Sequence, residues 1–157
     1  MIESFSLFES QFWLPVLVSL LCGTIVGLER QLRGKPLDVR TAVLICLGTH
    51  VFIRLGVAHS GTTTDPTRVL GQVVTGIGFL GAGVILTRGH HVVGVTTAAV
   101  IWMLASIGAT IGFAQYGAAI ALAVVTLIVL TILEVVEDRI ASMRRGAHER
   151  DKVDRRL

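Results

Sequence analysis

Glu29 is followed within eleven positions by Arg30, Arg33, Lys35 and Arg40, and then by the hydroxyl of Thr41. A carboxylate among cations can form an ion-paired cluster or hold an anionic group. Gly34 and Pro36 break the helix between them, so a pairing across the connector is expected, for example Glu29 with Arg40. Glu29, Arg30, Arg40 and Thr41 are the first candidate functional set, serving as a gate, a docking surface or structural glue. His50 and Arg54 are the second. They are four apart and share one helix face. In a membrane that face must point into protein. Arg54 lies close enough to a helix end to snorkel to the surface. His50 does not, and is either a hydrogen-bonded packing residue or part of a polar pathway.

Other chemistry is missing from the pattern. No nucleophile–base pair, metal-spaced cluster or phosphate-binding loop is present, so no enzymatic activity, cofactor or metal site is expected. Cys22 and Cys46 lie in apolar runs and read as small buried residues. The adjacent His90 and His91 read as solvated loop residues in a short connector, 87–94. Thr75, Thr96 and Thr97 supply hydroxyls that could join backbone carbonyls along a pore.

The elements that must position these residues are membrane spans. Apolar residues make up 52% of the 157-residue chain and charged residues 16%, against about 25% charged in a soluble domain; mean hydropathy is +0.73. The expected fold is an all-α polytopic membrane protein with spans at about 12–28, 41–58, 68–86, 95–113 and 116–136. Residues 1–136 then form one transmembrane domain and 137–157 a basic cytoplasmic tail. No cleavable signal peptide is evident, since the first residues are acidic. The third span carries five glycines: Gly71, Gly76, Gly78, Gly81 and Gly83. Each would cost roughly 1 kcal/mol in a water-exposed helix, but in lipid it offers a flat surface for a neighbouring backbone. Gly71, Thr75, Gly78 and Ala82 share one stripe. The glycine-rich span is therefore expected at the centre of the bundle, gripped by its neighbours, with Gly76, Gly78, Gly81, Gly83, Thr96 and Thr97 serving helix packing or a pathway. The alternative is a broken segment whose freed carbonyls line a cavity. Gly23 with Gly27, and Gly108 with Gly112, form further small-residue pairs.

Charge orients the spans. Arg30, Arg33, Lys35, Arg40, Arg88 and the seven basic residues of the tail make twelve of the fourteen cations, all on one side. The positive-inside rule places the N-terminus outside and the C-terminus in the cytoplasm. A faint parallel repeat runs through the chain: Arg33-Gly34 with Val39–Ala42 resembles Arg88-Gly89 with Val95–Ala98. It would give a repeated two-helix unit plus one extra helix.

Several stretches together resemble the MgtC/SapB family of bacterial inner-membrane proteins. They are GLERQLRGK at 27–35 with Arg40-Thr41, DPTRVLGQVVTGIGFLGAGVI at 65–85 and GVTTAAVIW at 94–102. The resemblance covers roughly residues 12–136 and implies a five-span domain in the bacterial inner membrane. It further implies a link to growth under magnesium limitation and, in pathogens, to survival inside host cells. For the best-known member it implies control of the membrane ATP synthase. Two departures stand out. That member carries a cytoplasmic regulatory domain after its last helix, from which nothing is expected to carry over to these residues, and Leu37-Asp38-Val39 replaces the Ala-Gly-Leu common before Arg-Thr.

Two functions compete: a regulatory membrane protein acting by contact with another complex, and a transporter or channel for Mg²⁺ or another small solute. Mg²⁺ prefers oxygen ligands, yet no carboxylate lies at mid-membrane; Glu29 and Glu134 sit at span ends. The regulatory reading is favoured. The bilayer and a second copy of the chain are the expected partners, because five helices leave little room for a cavity while three small-residue faces are available; no nucleic-acid partner is expected.

Overall fold

The computed structural model describes residues 10–59, 67–88, 91–133 and 136. The expected tail, 137–157, lies outside them. The elements are α1 (Ser10–Leu32), α2 (Val39–Ala58), α3 (Thr67–Val84), β1 (Leu86–Arg88), β2 (His91–Val93) and α4 (Val95–Gly112), followed by α5 (Tyr116–Leu133). All five helices are long and apolar enough to cross a membrane. A helix satisfies every backbone polar group within itself, as lipid requires, and 20 residues rise about 30 Å, the hydrocarbon thickness. The fold is all-α and polytopic, as the composition implies.

The centre of the bundle is α2. It lies between α1 and α4, and glycines on both neighbours let the backbones touch. A methyl group on Gly23 would come within 2.6 Å of Val43 Cα, and one on Gly27 within 2.7 Å of Val39 Cα. From the other side, a methyl on Gly112 would meet Ile53 Cβ at 2.6 Å, and one on Gly108 would run into the Cys46 carbonyl oxygen. Cys22, Val26, Ala42, Cys46, Ile53, Leu104, Ile107 and Ile111 fill the core between these contacts. Both cysteines are free and buried, as their apolar setting implies.

This corrects the expectation that the glycine-rich span is the gripped one. Only Ile77 and Gly81 of α3 are buried. A methyl added at Gly71, Gly76, Gly78 or Gly83 would meet nothing within 4 Å, and one at Gly81 would make ordinary contact with Ala98 Cβ at 3.7 Å. The physical reason is that lipid gives apolar side chains no incentive to be buried, so association is decided by which backbones fit together. The glycine pairs of α1 and α4 find a backbone. Gly71, Gly76, Gly78 and Gly83 of α3 lie open. The helix is also continuous from Thr67 to Val84 rather than broken.

Two connectors differ from expectation. The α1 helix continues past Leu28 to Leu32, carrying Glu29 and Arg30 inside its last turns. The α3–α4 connector is a two-stranded antiparallel hairpin with Leu86 opposite Val93, Thr87 opposite Val92 and Arg88 opposite His91. Thr87, Val92 and Val93 are β-branched and favour extended backbone. The hairpin hands over to α4 at Gly94, whose φ of +90° suits glycine alone and where any side chain would strike the Val84 carbonyl oxygen.

The sequence repeat has only a partial structural echo. Ala42 and Ala98, 56 residues apart, each face a glycine of the preceding helix, Gly27 and Gly81. Gly83, the sequence counterpart of Gly27, faces none. The described residues up to Thr126 belong to one compact unit and those from Leu127 on to a second. Within the first, α5 buries Ala119, Ala123 and Thr126 and exposes Ile120, Val124 and Val125, a lipid-facing pattern.

Candidate functional site

The last two turns of α1 build the charged cluster. Glu29 Oε2 accepts from Arg30 Nε at 2.6 Å, and Oε1 accepts from Arg30 Nη2 at 2.9 Å. Arg33, one turn on, brings its Nε to 2.6 Å from Oε1. The Glu29 and Arg30 side chains are 7% and 3% exposed, while Arg33 reaches the surface at 28%. Both carboxylate oxygens are thus engaged by guanidinium groups in a nearly dry setting. Such a pair is costly to assemble, because its desolvation rivals its attraction, and costlier to break from one side.

The expected pairing of Glu29 with Arg40 is not formed. Arg40 instead turns to Asp38, its Nε 3.3 Å from Oδ2, with 91% of its side chain exposed. The spacing explains why. Arg33 follows Glu29 by four on a continuous helix, the geometry for a direct pair, and Arg30 wraps its long side chain back onto its neighbour. Both carboxylate oxygens are thereby engaged from within α1 rather than across the connector.

That connector is shaped by its own hydrogen bonds. The α1 helix ends at Gly34, whose φ of +63° is the left-handed cap. Gly34 N–H donates to Gln31 O at 3.0 Å and Lys35 N–H to Arg30 O at 3.0 Å. Leu37 is buried. Asp38 then caps α2, its Oδ1 accepting from Thr41 N–H at 2.8 Å. Hydrogen bonds from the Thr41 side chain and backbone hold the Asp38 carboxyl below the usual carboxylate range. Its folded-state pKa is depressed, so the cap is fully effective above the ordinary aspartate value and is lost as pH falls through the folded one. The departure at Leu37-Asp38-Val39 therefore has a local meaning: it supplies a helix start.

The remaining candidates are scattered. His50 is 4% exposed, and its Nδ1 has no hydrogen-bond partner. That does not match a hydrogen-bonded packing role for this nitrogen. Arg54 is half-buried one turn further on. Thr97 is buried in the first turn of α4, whereas Thr96 is exposed. Gly76, Gly78, Gly81 and Gly83 lie along α3, away from the cluster of Glu29 and Arg30. Among the described residues no group of three or more His, Cys, Asp or Glu side chains is placed to hold a metal ion. Sequence reasoning missed two participants. Arg33 was signalled by its spacing of four from Glu29, and Asp38 by its position three before Thr41.

Five apolar helices with a buried carboxylate–guanidinium cluster at the end of the first define a polytopic membrane protein built on a closely packed three-helix core. The chain belongs to the MgtC family, whose signature matches residues 16–139. Among its relatives is the Escherichia coli K12 protein named "Putative magnesium transporter YhiD", 45% identical over 126 residues, which cover 74% of this chain and 57% of that one. Another is "Protein MgtC" of Salmonella typhimurium LT2, 39% identical over 127 residues, covering 81% of this chain and 54% of that one. A Haemophilus influenzae protein of uncharacterized function is 40% identical over 106 residues, covering 62% of this chain and 44% of that one. The chain thus spans little more than half the length of its first two relatives. No solved structure matches it.

Proposed function

We propose that this chain is a bacterial inner-membrane protein of magnesium homeostasis that acts in adaptation to low Mg²⁺ by contact with another membrane complex. The link to magnesium rests on family membership and on the printed name of the Escherichia coli relative. The observation that carries the regulatory side is the state of Glu29. Of Glu29 and Glu134, the two glutamates at span ends, Glu29 lies among the described residues, and both its oxygens are held by Arg30 and Arg33. Three guanidinium contacts take up most of this carboxylate's acceptor sites, and the two guanidiniums beside it repel a dication.

The competing reading is Mg²⁺ transport, favoured by that same relative's name. It needs oxygen ligands along a path, and the backbone of the continuous α3 offers none. In the regulatory reading Arg33, which reaches the surface at 28%, and the exposed Arg40 present charge to the partner, while the buried Glu29 and Arg30 hold Arg33 from beneath. The membrane ATP synthase is the partner that the family resemblance implies. A second copy docks on the open stripe of Gly71, Thr75, Gly78 and Ala82, all of them exposed.

Orientation follows from charge: N-terminus outside, C-terminus in the cytoplasm. A C-terminal fluorescent fusion should be bright and a C-terminal alkaline-phosphatase fusion inactive; the reverse pair of results would invert the topology. The function itself is tested in a strain stripped of its own family members. Expression of this chain should restore growth at limiting Mg²⁺ while total cell Mg²⁺, measured by atomic absorption, stays at the level of the empty-vector strain. A rise in cell Mg²⁺ that tracks the rescue would replace the regulatory reading with transport.

A further inference from the structure

The helices α2 and α3 touch at one end and part at the other. A methyl on Gly56 would come within 2.8 Å of Val69 Cγ2, so the pair is closed there, whereas Gly48 and Gly76 have nothing within 4 Å. Between them lies a groove of about 600 Å³, walled by Leu44, Gly48 and Phe52 of α2 and Val73, Gly76 and Leu80 of α3. It begins at Thr41, in the first turn of α2, and ends at Phe52. The helix rises about 16 Å from Thr41 to Phe52, close to half of the roughly 30 Å hydrocarbon layer. Gln72 and Thr49 bring polar atoms to its deeper part, but the walls are otherwise apolar.

These dimensions select among occupants. A spanning helix of a second copy needs the whole hydrocarbon thickness, and the closed Gly56–Val69 end denies it that. One acyl chain, entering from one leaflet and stopping near the midplane, needs only what the groove provides. A charge stands next to the groove's Thr41 end in the sequence, on a residue that does not itself line the groove. Arg40 precedes Thr41 and is 91% exposed; only its Nε engages Asp38, at 3.3 Å, and its Nη groups have no partner among the described residues. Asp38 is the nearby negative charge, and it is already committed to Thr41 N–H. A guanidinium fork with free N–H groups suits a phosphate.

We propose that the α2–α3 groove holds one acyl chain of an anionic phospholipid whose phosphate is bound by Arg40. The site is independent of whether the chain regulates or transports. Any apolar groove is wetted by lipid tails, so what distinguishes a site is retention that depends on the headgroup.

The full chain, purified in detergent, would be titrated with dioleoyl phosphatidylglycerol or dioleoyl phosphatidylcholine and read by native mass spectrometry. One phosphatidylglycerol per protomer should be retained, with about a fivefold preference over phosphatidylcholine, the worth of one basic residue near a headgroup. Arg40→Gln should erase that preference. A first side-chain carbon at Gly76 or Gly48 meets nothing within 4 Å, so Gly76→Leu and Gly48→Leu should each fold and, by reaching into the groove, lower retention of both lipids. Cross-links from a phosphatidylglycerol with a photoactivatable tail should fall on residues 41–52 and 69–80 in the unaltered chain. Equal retention of the two lipids, a preference that survives Arg40→Gln, or cross-links elsewhere would overturn the proposal. So would Gly76→Leu removing a dimer while leaving lipid retention unchanged, which would assign the groove to a second copy.

Discussion

Gly108→Leu is expected to abolish the folded bundle, while Gly78→Leu leaves the monomer folded and removes its self-association. The two glycines look alike in the sequence, each in an apolar span among small neighbours. Their surroundings differ. At Gly108 a first side-chain carbon already collides with the Cys46 carbonyl oxygen and lies 2.9 Å from Thr49 Cβ. The obstacle is backbone, which cannot rotate aside, so the two helices must separate. Overpacking a core typically costs about 1–3 kcal/mol, and this contact belongs at or above the top of that range because it breaks the α2–α4 seam. At Gly78 nothing lies within 4 Å. Gly78 is also exposed, so its substitution is expected to act on what lies outside the chain, which in this account is a second copy. Thermal unfolding in detergent read by size-exclusion chromatography distinguishes the two effects. Unfolding of the Gly78 variant beside a stable Gly108 variant would show that α3, rather than α2, is the gripped helix.

Glu29→Gln should be nearly as damaging. Gln keeps the shape but gives up the charge that compensates Arg30, which is 3% exposed, and Arg33. Removing one partner of a buried pair typically costs about 3–5 kcal/mol, because the other is left charged and poorly solvated. Arg30→Met on top of Glu29→Gln should recover much of the loss, since the buried cation is then gone as well. A double variant no better than the single one would mean that Arg30 is paid for by other contacts, and that the Glu29 pairing is incidental. The expected order of thermal midpoints is wild type, then double variant, then Glu29→Gln.

How legible these features were depends on the kind of signal each one left. The five helices could be read because hydropathy over 18 or more residues is a direct statement about solvent. The small-residue pairs at Gly23, Gly27, Gly108 and Gly112 could be seen, but so could the longer string in α3, and a glycine does not announce whether a backbone lies across from it. That choice depends on how α2 is flanked, which no local pattern encodes. The charged set was recognised by composition, while its pairing was assigned across a connector because α1 was expected to stop at Leu28. Once Glu29 to Leu32 remain helical, the spacing of Arg33 settles the partner. The hairpin at Leu86–Val93 was hidden by its histidines and arginine, which read as loop, although Thr87, Val92 and Val93 favour extended backbone.

The claim that matters most is that this chain bears on magnesium without carrying it. Purified protein in lipid vesicles loaded with a Mg²⁺-sensitive dye tests this directly, against protein-free vesicles under the same inward gradient and with the membrane potential clamped. The account predicts the same dye signal in both, because both Glu29 oxygens are held by arginines and the spans offer no mid-membrane carboxylate. Saturable Mg²⁺ entry that scales with the amount of protein would contradict it.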